Sequence, residues 1–205
     1  MIEQGTPEWF AQRCGKVTAS RVADIIAKTK TGAAASRGNY MAQLVAERLT
    51  GQPAESFKSA AMQFGTDTEP MARMAYETQI GMLVDEVAMI PHPTIEMSGA
   101  SPDGLVGHDG LVEIKCPNTS THIETLLEEK VPSKYVTQMM WQMACTGRAW
   151  CDFVSFDPRM PEDMQLFIKR VPRDNEMIAS LEAEVVKFLG ELDDLLAKLL
   201  ERRSK

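Results

Sequence analysis

In the stretch SPDGLVGHDGLVEIKCP, residues 101–117, two carboxylates and a lysine fall on what reads as a β-hairpin. Asp103 lies on the first arm, Glu113 and Lys115 on the second. Alternate side chains of a strand share a face, so Glu113 and Lys115 point one way and Ile114 the other. Leu111, Val112 and Ile114 mark a partly buried strand, where charges without partners are costly. Asp103 can join that face in only one register. A turn made of Asp109 and Gly110 alone would set Gly104 opposite Lys115 and send Asp103 to the other side. A three-residue loop, His108 to Gly110, pairs Asp103 with Lys115 and Leu105 with Glu113. We expect the odd-length loop, with Gly110 as the left-handed residue on which such a loop ends.

Two neighbouring carboxylates repel each other, and a hard divalent cation is the usual remedy. Oxygen-only ligation favours Mg2+, with Mn2+ able to substitute. Such an ion would hold a phosphodiester, acidify a water and stabilise the leaving oxygen, while Lys115 positions the water or counters developing charge. The chemistry indicated is phosphodiester hydrolysis. A Glu-x-Lys step alone is more often a surface ion pair on an ordinary hairpin. Asp103, following Pro102 at this spacing, raises it above that.

These residues need a scaffold, and the chain has the length for one. At 205 residues it can bury roughly 70% of the surface its unfolded form exposes. With 44% hydrophobic and 25% charged residues it is an ordinary globular composition, read as a single domain over 1–205. The four cysteines, Cys14, Cys116, Cys145 and Cys151, have no metal-like spacing and read as reduced thiols. No apolar run is long enough to span a bilayer, and no apolar signal segment opens the chain. A cytoplasmic protein with no membrane partner is expected.

The net charge of −7 argues weakly against a nucleic-acid partner, but its distribution matters more. Residues 1–60 hold eight Lys/Arg against five Asp/Glu, and between positions 13 and 37 Arg13, Lys16, Arg21, Lys28, Lys30 and Arg37 face only Asp24. Taken alone this is a solvated basic face.

The positioning elements follow from periodicity and punctuation. Pro7 to Gly15 reads as a short helix with Trp9 and Phe10 available to the core, and TASRVADIIAK as a second, capped by Thr18 or Ser20. Residues 29–39, small and basic, read as a mobile loop. A helix follows from Tyr40 to Gly51, and another from about Asp67 to Thr78 with Pro70 in its first turn. Residues 82–90 read as a strand. After the hairpin, SKYVTQMMWQMACTG is a helix, AWCDFVSF and MQLFIKRV are strands, and residues 174–201 form an amphipathic helix. The fold class is α/β, a central mixed β-sheet flanked by helices.

The PDG and EIK pair resembles the PD-(D/E)XK nuclease signature, whose core is restriction-endonuclease-like. The wider sequence resembles the lambda exonuclease or YqaJ-type viral recombinase family. The segments that carry the likeness are EQGTPEWFAQRCGKVTAS, FGTDTEPMAR, SPDGL, EIKCP, YVTQ and FDPRM, running from Glu3 to about Met160. Beyond Asp174 the likeness is only helical character. The resemblance implies an ATP-independent exonuclease, using Mg2+ and two ions, that digests one strand of linear double-stranded DNA processively from a 5′-phosphate. It would release mononucleotides and leave a 3′ single strand. It also implies a ring-shaped homotrimer, a single-strand annealing protein as partner, and a phage or prophage origin with action in the host cytosol. A ring would reconcile an acidic exterior with a basic lining.

Position by position, the resemblance gives Asp103, Glu113 and Lys115 as the catalytic core, with the Ile114 carbonyl as a further metal ligand. Glu69 matches an additional acidic site residue and Gln138 the glutamine on the following helix. Arg13, Ser20 and Ser101 match a 5′-phosphate pocket, which suits a forked guanidinium and a helix start. Glu69 could instead be a first-turn helix acid, Arg13 a partner of Glu8 or Glu3, and Gln138 a surface residue. Met62 stands where the family wedges an apolar side chain into the duplex end, and core packing is an equal reading. The competing functions are a structure- or site-specific endonuclease of the same superfamily, which would cut closed circles, and a DNA-binding protein without catalysis.

Overall fold

A computed structural model describes residues 2–30, 32–54 and 59–203; position 31 of the 29–39 segment lies outside the described residues. The chain opens with helix α1 (Pro7–Arg13), started by Thr6, whose hydroxyl accepts from the Trp9 amide. Strand β1 (Val17–Thr18), a 3₁₀ turn (Ala19–Arg21) and the short helix α2 (Val22–Ile26) follow. A small hairpin, β2 (Lys28–Thr29) with β3 (Gly32–Ala33), leads into α3 (Ala35–Thr50). The expected 29–39 loop is thus half hairpin, half helix. Ala33 belongs to β3, Ala34 precedes the helix, and Ala35 and Ser36 begin the first turn of α3.

Helix α4 runs Ala60–Ile80, longer than expected, because Ser59 caps it by accepting from the Met62 amide at 3.2 Å. Pro70 therefore sits in the helix interior, on the exposed side, where its missing N–H leaves the Thr66 carbonyl without its helical donor. The expected strand at 82–90 is broken into β4 (Val84–Asp85) and β5 (Ile90–Pro91). Then come β6 (Ser98–Ala100), the hairpin β7 (Gly104–Val106) and β8 (Gly110–Lys115), α5 (Thr119–Glu128), α6 (Ser133–Thr146), β9 (Trp150–Phe156), β10 (Leu166–Pro172) and α7 (Asn175–Arg203). Helix α5 had no counterpart in the sequence reading; Asn118 starts it by accepting from the Thr121 amide.

Five strands form a mixed sheet in the order β10-β9-β8-β7-β4, with β8 and β9 parallel and the other neighbours antiparallel. A second sheet, β1-β6-β5, adjoins α6 and the 3₁₀ turn. One face of the main sheet packs Leu111, Cys151 and Phe153 against a layer from α2, α3, α6 and α7, including Tyr40, Trp141 and Phe188. The other packs Val112, Ile114, Val154 and Phe156 against Ala72 and Tyr76 of α4. Covering both faces explains why β8 and β9 are nearly continuous apolar runs. Any polar side chain on them must find a partner inside the protein.

Candidate active site

The hairpin loop has three residues, but they are Gly107, His108 and Asp109, between the paired Val106 and Gly110. Leu105 faces Leu111 and Gly104 faces Val112, so the same register carried one step further sets Asp103 against Glu113. The expected pairs Asp103–Lys115 and Leu105–Glu113 are each displaced by two residues. The left-handed residue is Gly107, at φ 53°, which opens the loop. Gly110 is required for another reason: a Cβ there would overlap the Trp150 indole. Arg148 fixes the loop by donating to the carbonyls of Gly107 at 2.9 Å and Gly110 at 2.6 Å. A displacement of two leaves every side chain on its original face, so Asp103 still joins Glu113 and Lys115.

That face meets α6. Glu113 is fully buried and ion-paired with the Lys115 ammonium. Gln138 donates to its Oε1 at 2.6 Å and Gln142 to its Oε2 at 2.5 Å. Lys115 lies 5.3 Å from the centre of the Tyr135 ring. The half-buried Asp103 accepts from the Ile114 amide at 2.6 Å. Burial, and after it the Glu113 charge, push the Asp103 carboxyl well above its ordinary range. Burial alone would lower the Lys115 pKa, but Glu113 and Asp103 outweigh it and hold the ammonium above its usual value.

Glu69 reaches the same region from the third turn of α4, which excludes the first-turn reading. It accepts from Arg73 at 3.0 Å, and Arg73 also pairs with Glu86. Burial raises the Glu69 pKa against the opposing pull of Arg73 and Lys115. Cys116, next to Lys115, is likewise pushed up, to about 12, by burial first and the Glu69 charge second.

Among the described residues no three acidic, His or Cys side chains converge tightly enough to cage a cation alone. Asp103 and Glu113 nevertheless share one face, and burial makes a second negative charge there costly. Asp103 on an open cavity, with the buried Glu113 beside it on the same face, fits an ion of the Mg2+ kind, which keeps waters and substrate oxygens among its ligands.

That cavity, of about 140 Å³, is lined by Gln4, Trp9, Arg13, Ser20, Ser101, Asp103 and Gln138 among others. It joins all three expected phosphate-pocket residues to two residues of the carboxylate cluster. Arg13 donates to Ser101 Oγ at 3.1 Å and stacks 4.2 Å from the Trp9 ring centre, while Trp9 Nε1 donates to the same oxygen at 3.2 Å. Among the described residues Arg13 has no ion-pair partner, neither Glu8 nor Glu3. Burial lowers its pKa, with Tyr40 and Glu47 opposing. Gln4 ties the pocket to the cluster by donating to the Pro102 carbonyl at 2.8 Å, immediately before Asp103. Met62 is 55% exposed, so it is not a core residue.

Sequence reasoning passed over Gln142, Trp9 and Gln4. Gln142 left a signal: an uncharged polar residue one turn after Gln138, set among methionines and a tryptophan on a helix face that must be buried. Trp9 left none, since an aromatic after Pro7 is ordinarily core.

A mixed sheet presenting Asp103, Glu113 and Lys115 on one face, with helices on both sides, defines a restriction-endonuclease-like α/β protein. Residues 8–149 match the model of the YqaJ-like viral recombinase domain, and the chain belongs to that family. It is similar to the crystal structure of an alkaline exonuclease, LHK-Exo, from Laribacter hongkongensis. The two are 56% identical with a TM-score of 0.91, over 97% of this chain and 98% of the other. The same values hold for LHK-Exo in complex with dAMP. A phage related exonuclease from Haemophilus somnus 129PT shares the fold at 18% identity and a TM-score of 0.73, covering 90% of this chain and 96% of that one. No curated protein matches the chain. Among the described residues no helix is long and apolar enough to cross a membrane.

Proposed function

We propose that the protein is an ATP-independent 5′→3′ exonuclease on linear double-stranded DNA, using Mg2+, or Mn2+ in its place. The observation that carries this reading is the shared cavity. A guanidinium without an ion-pair partner among the described residues, set with two serines at one end, and the Asp103 carboxylate at the other suit a terminal 5′-phosphate and the next phosphodiester along the strand. LHK-Exo, 56% identical, binds dAMP, a nucleoside monophosphate of the kind such a reaction releases.

Arg13, Ser20 and Ser101 would grip the terminal phosphate, Arg13 through its fork of donors. Asp103 and Glu113, with the Ile114 carbonyl, would hold the metal, two ions when substrate is bound. When bound, the metal supplies Lewis-acid activation of the nucleophile and of the scissile phosphate. Lys115 orients the attacking water and offsets charge on the pentavalent phosphorus, and Glu69 holds the outer side of the water. The Gln138 amide, at the cavity wall, can leave Glu113 for a phosphate oxygen. Loss of a nucleotide leaves a new 5′-phosphate, and its attraction to Arg13 would draw the strand forward, giving processivity.

The same reading includes a homotrimer enclosing the duplex, an annealing protein that takes the 3′ single strand in phage-type recombination, and action in a bacterial cytosol. The test is nucleotide release from linear 5′-phosphorylated duplex and from closed circular plasmid, with Mg2+ or a chelator. We expect Mg2+-dependent mononucleotides from the linear DNA alone. Linearised plasmid would replace the end-dependent reading with an endonuclease. No product from either would leave a DNA-binding role.

A further inference from the structure

We propose that Gln142 is a positioning residue that fixes the Glu113 carboxylate for metal binding, and that it and Gln138 divide that task. The inference rests on the nuclease reading above. Both amides come from α6, one helical turn apart, and each serves a different oxygen of Glu113, Gln138 on Oε1 and Gln142 on Oε2. Each glutamine turns its NH2 group inward and donates to Glu113. Their surroundings differ. Gln138 lines the cavity and is half-buried, so incoming water or phosphate can replace Glu113 as its acceptor. Gln142 is fully buried and does not line it. No ligand can displace the Gln142 contact.

The far side of Gln142 is also held. Its Oε1 faces the Cys151 thiol at 3.9 Å, a weak S–H donor on β9. Burial pushes that thiol well above its ordinary pKa, so it keeps its proton. The thiol is shared with the Asp152 carbonyl, also at 3.9 Å, so it backs Gln142 weakly, while Gln142 in turn holds Glu113. Lys115 shares Oε1 with Gln138, which leaves Oε2 dependent on Gln142 alone among the described residues. Without Gln142 a buried oxygen loses its donor and the carboxylate is held through Oε1 alone, so its rotation about the terminal bond is less restrained. Residues that orient a metal ligand from behind typically account for 10–100-fold in metal affinity or activity.

The test pairs Gln142→Met, close in volume but without the amide, with Gln138→Met. Mn2+ affinity is measured by titration calorimetry without DNA, and kcat and KM on 5′-phosphorylated duplex separately. We expect Gln142→Met to bind Mn2+ about 10–100-fold more weakly and to lose kcat, with KM for DNA and the preference for a 5′-phosphate unchanged. Gln138→Met should lose kcat with a smaller change in Mn2+ affinity. If Gln142→Met does not fold, Gln142→Asn, whose amide falls one methylene short of Oε2, carries the same test with the same expectation. Wild-type Mn2+ affinity in whichever Gln142 variant folds overturns the proposal, as does an equal affinity loss in the Gln138 variant. A wild-type protein that releases no nucleotide would instead overturn the nuclease reading itself.

Discussion

The two ends of the shared cavity are built on opposite principles. At the carboxylate end, Glu113 is buried in a sheet covered on both faces, and each of its oxygens has a protein donor. At the other end, the Arg13 guanidinium has an aromatic ring and a hydroxyl but, among the described residues, no carboxylate. A fully partnered charge is a fixed tool; a desolvated cation without a counter-ion gains most when an anion arrives. In the proposed function chemistry therefore falls to the sheet and capture to the N-terminal helix, and mutations at the two ends should fail in different ways.

The largest effect belongs to the sheet end. Lys115→Ala removes the only cation paired with Glu113 among the described residues and should lower kcat by about 10³-fold or more, while DNA binding, read by gel shift without metal, is retained. Retained turnover would mean that the hairpin face is structural. Next comes the capture end. Arg13→Ala should lower kcat/KM on 5′-phosphorylated ends by about 10–100-fold and leave unphosphorylated ends nearly unchanged, so the variant no longer distinguishes them. Equal losses on both would move the phosphate site elsewhere.

How legible each end was in the sequence follows from the same contrast. Glu113, Lys115 and Asp103 were readable because strand period two fixes which residues share a face, and a displacement of two in register cannot alter it. The register itself was not readable. Gly107 and Gly110 can each serve a turn, and the choice depends on Trp150 and Arg148, which lie forty residues further on. Helix α4 was read short because Pro70 looks like a helix start, whereas Ser59 supplies the cap. Gln142 and Gln4 act through contacts distant in sequence, with Glu113 and Pro102; the spacing of Gln142 from Gln138 hints at its burial, but no local pattern announces either partner.

A third prediction sharpens the account of the hairpin. Gly110→Ala places a methyl into the Trp150 indole, over which the Arg170 guanidinium stacks 3.5 Å from the ring centre. Overpacking of this kind costs about 1–3 kcal/mol, so thermal unfolding should fall by several degrees. Gly107→Asn, by contrast, should cost little, because asparagine tolerates the left-handed conformation and its Cβ meets only the flexible end of the Met82 side chain.

The smallest effect is expected where the two layers are tied together behind the site. The Asp157 carboxylate is buried, which alone would raise its pKa, yet its hydrogen bonds to Arg159 and Thr119 bring it down to about 2. Arg159 also donates to the Pro117 carbonyl at 3.1 Å, just past β8, and stacks 4.4 Å from the Phe64 ring on α4. One side chain thus links β9, the end of β8 and the helix that carries Glu69. A carboxyl whose pKa is lower folded than unfolded contributes stability that is complete above the unfolded value, near 4, and disappears as pH falls towards 2. Asp157→Asn should therefore flatten the acid limb of a Tm-against-pH curve between about pH 4 and 2, relative to wild type. At neutral pH the variant should lose a modest part of its activity with Mn2+ affinity intact, since Glu113 and Asp103 are held by α6 and the hairpin. A loss of Mn2+ affinity as large as that of a Gln142 variant would show that the ligand face depends on the α4 side as much as on α6.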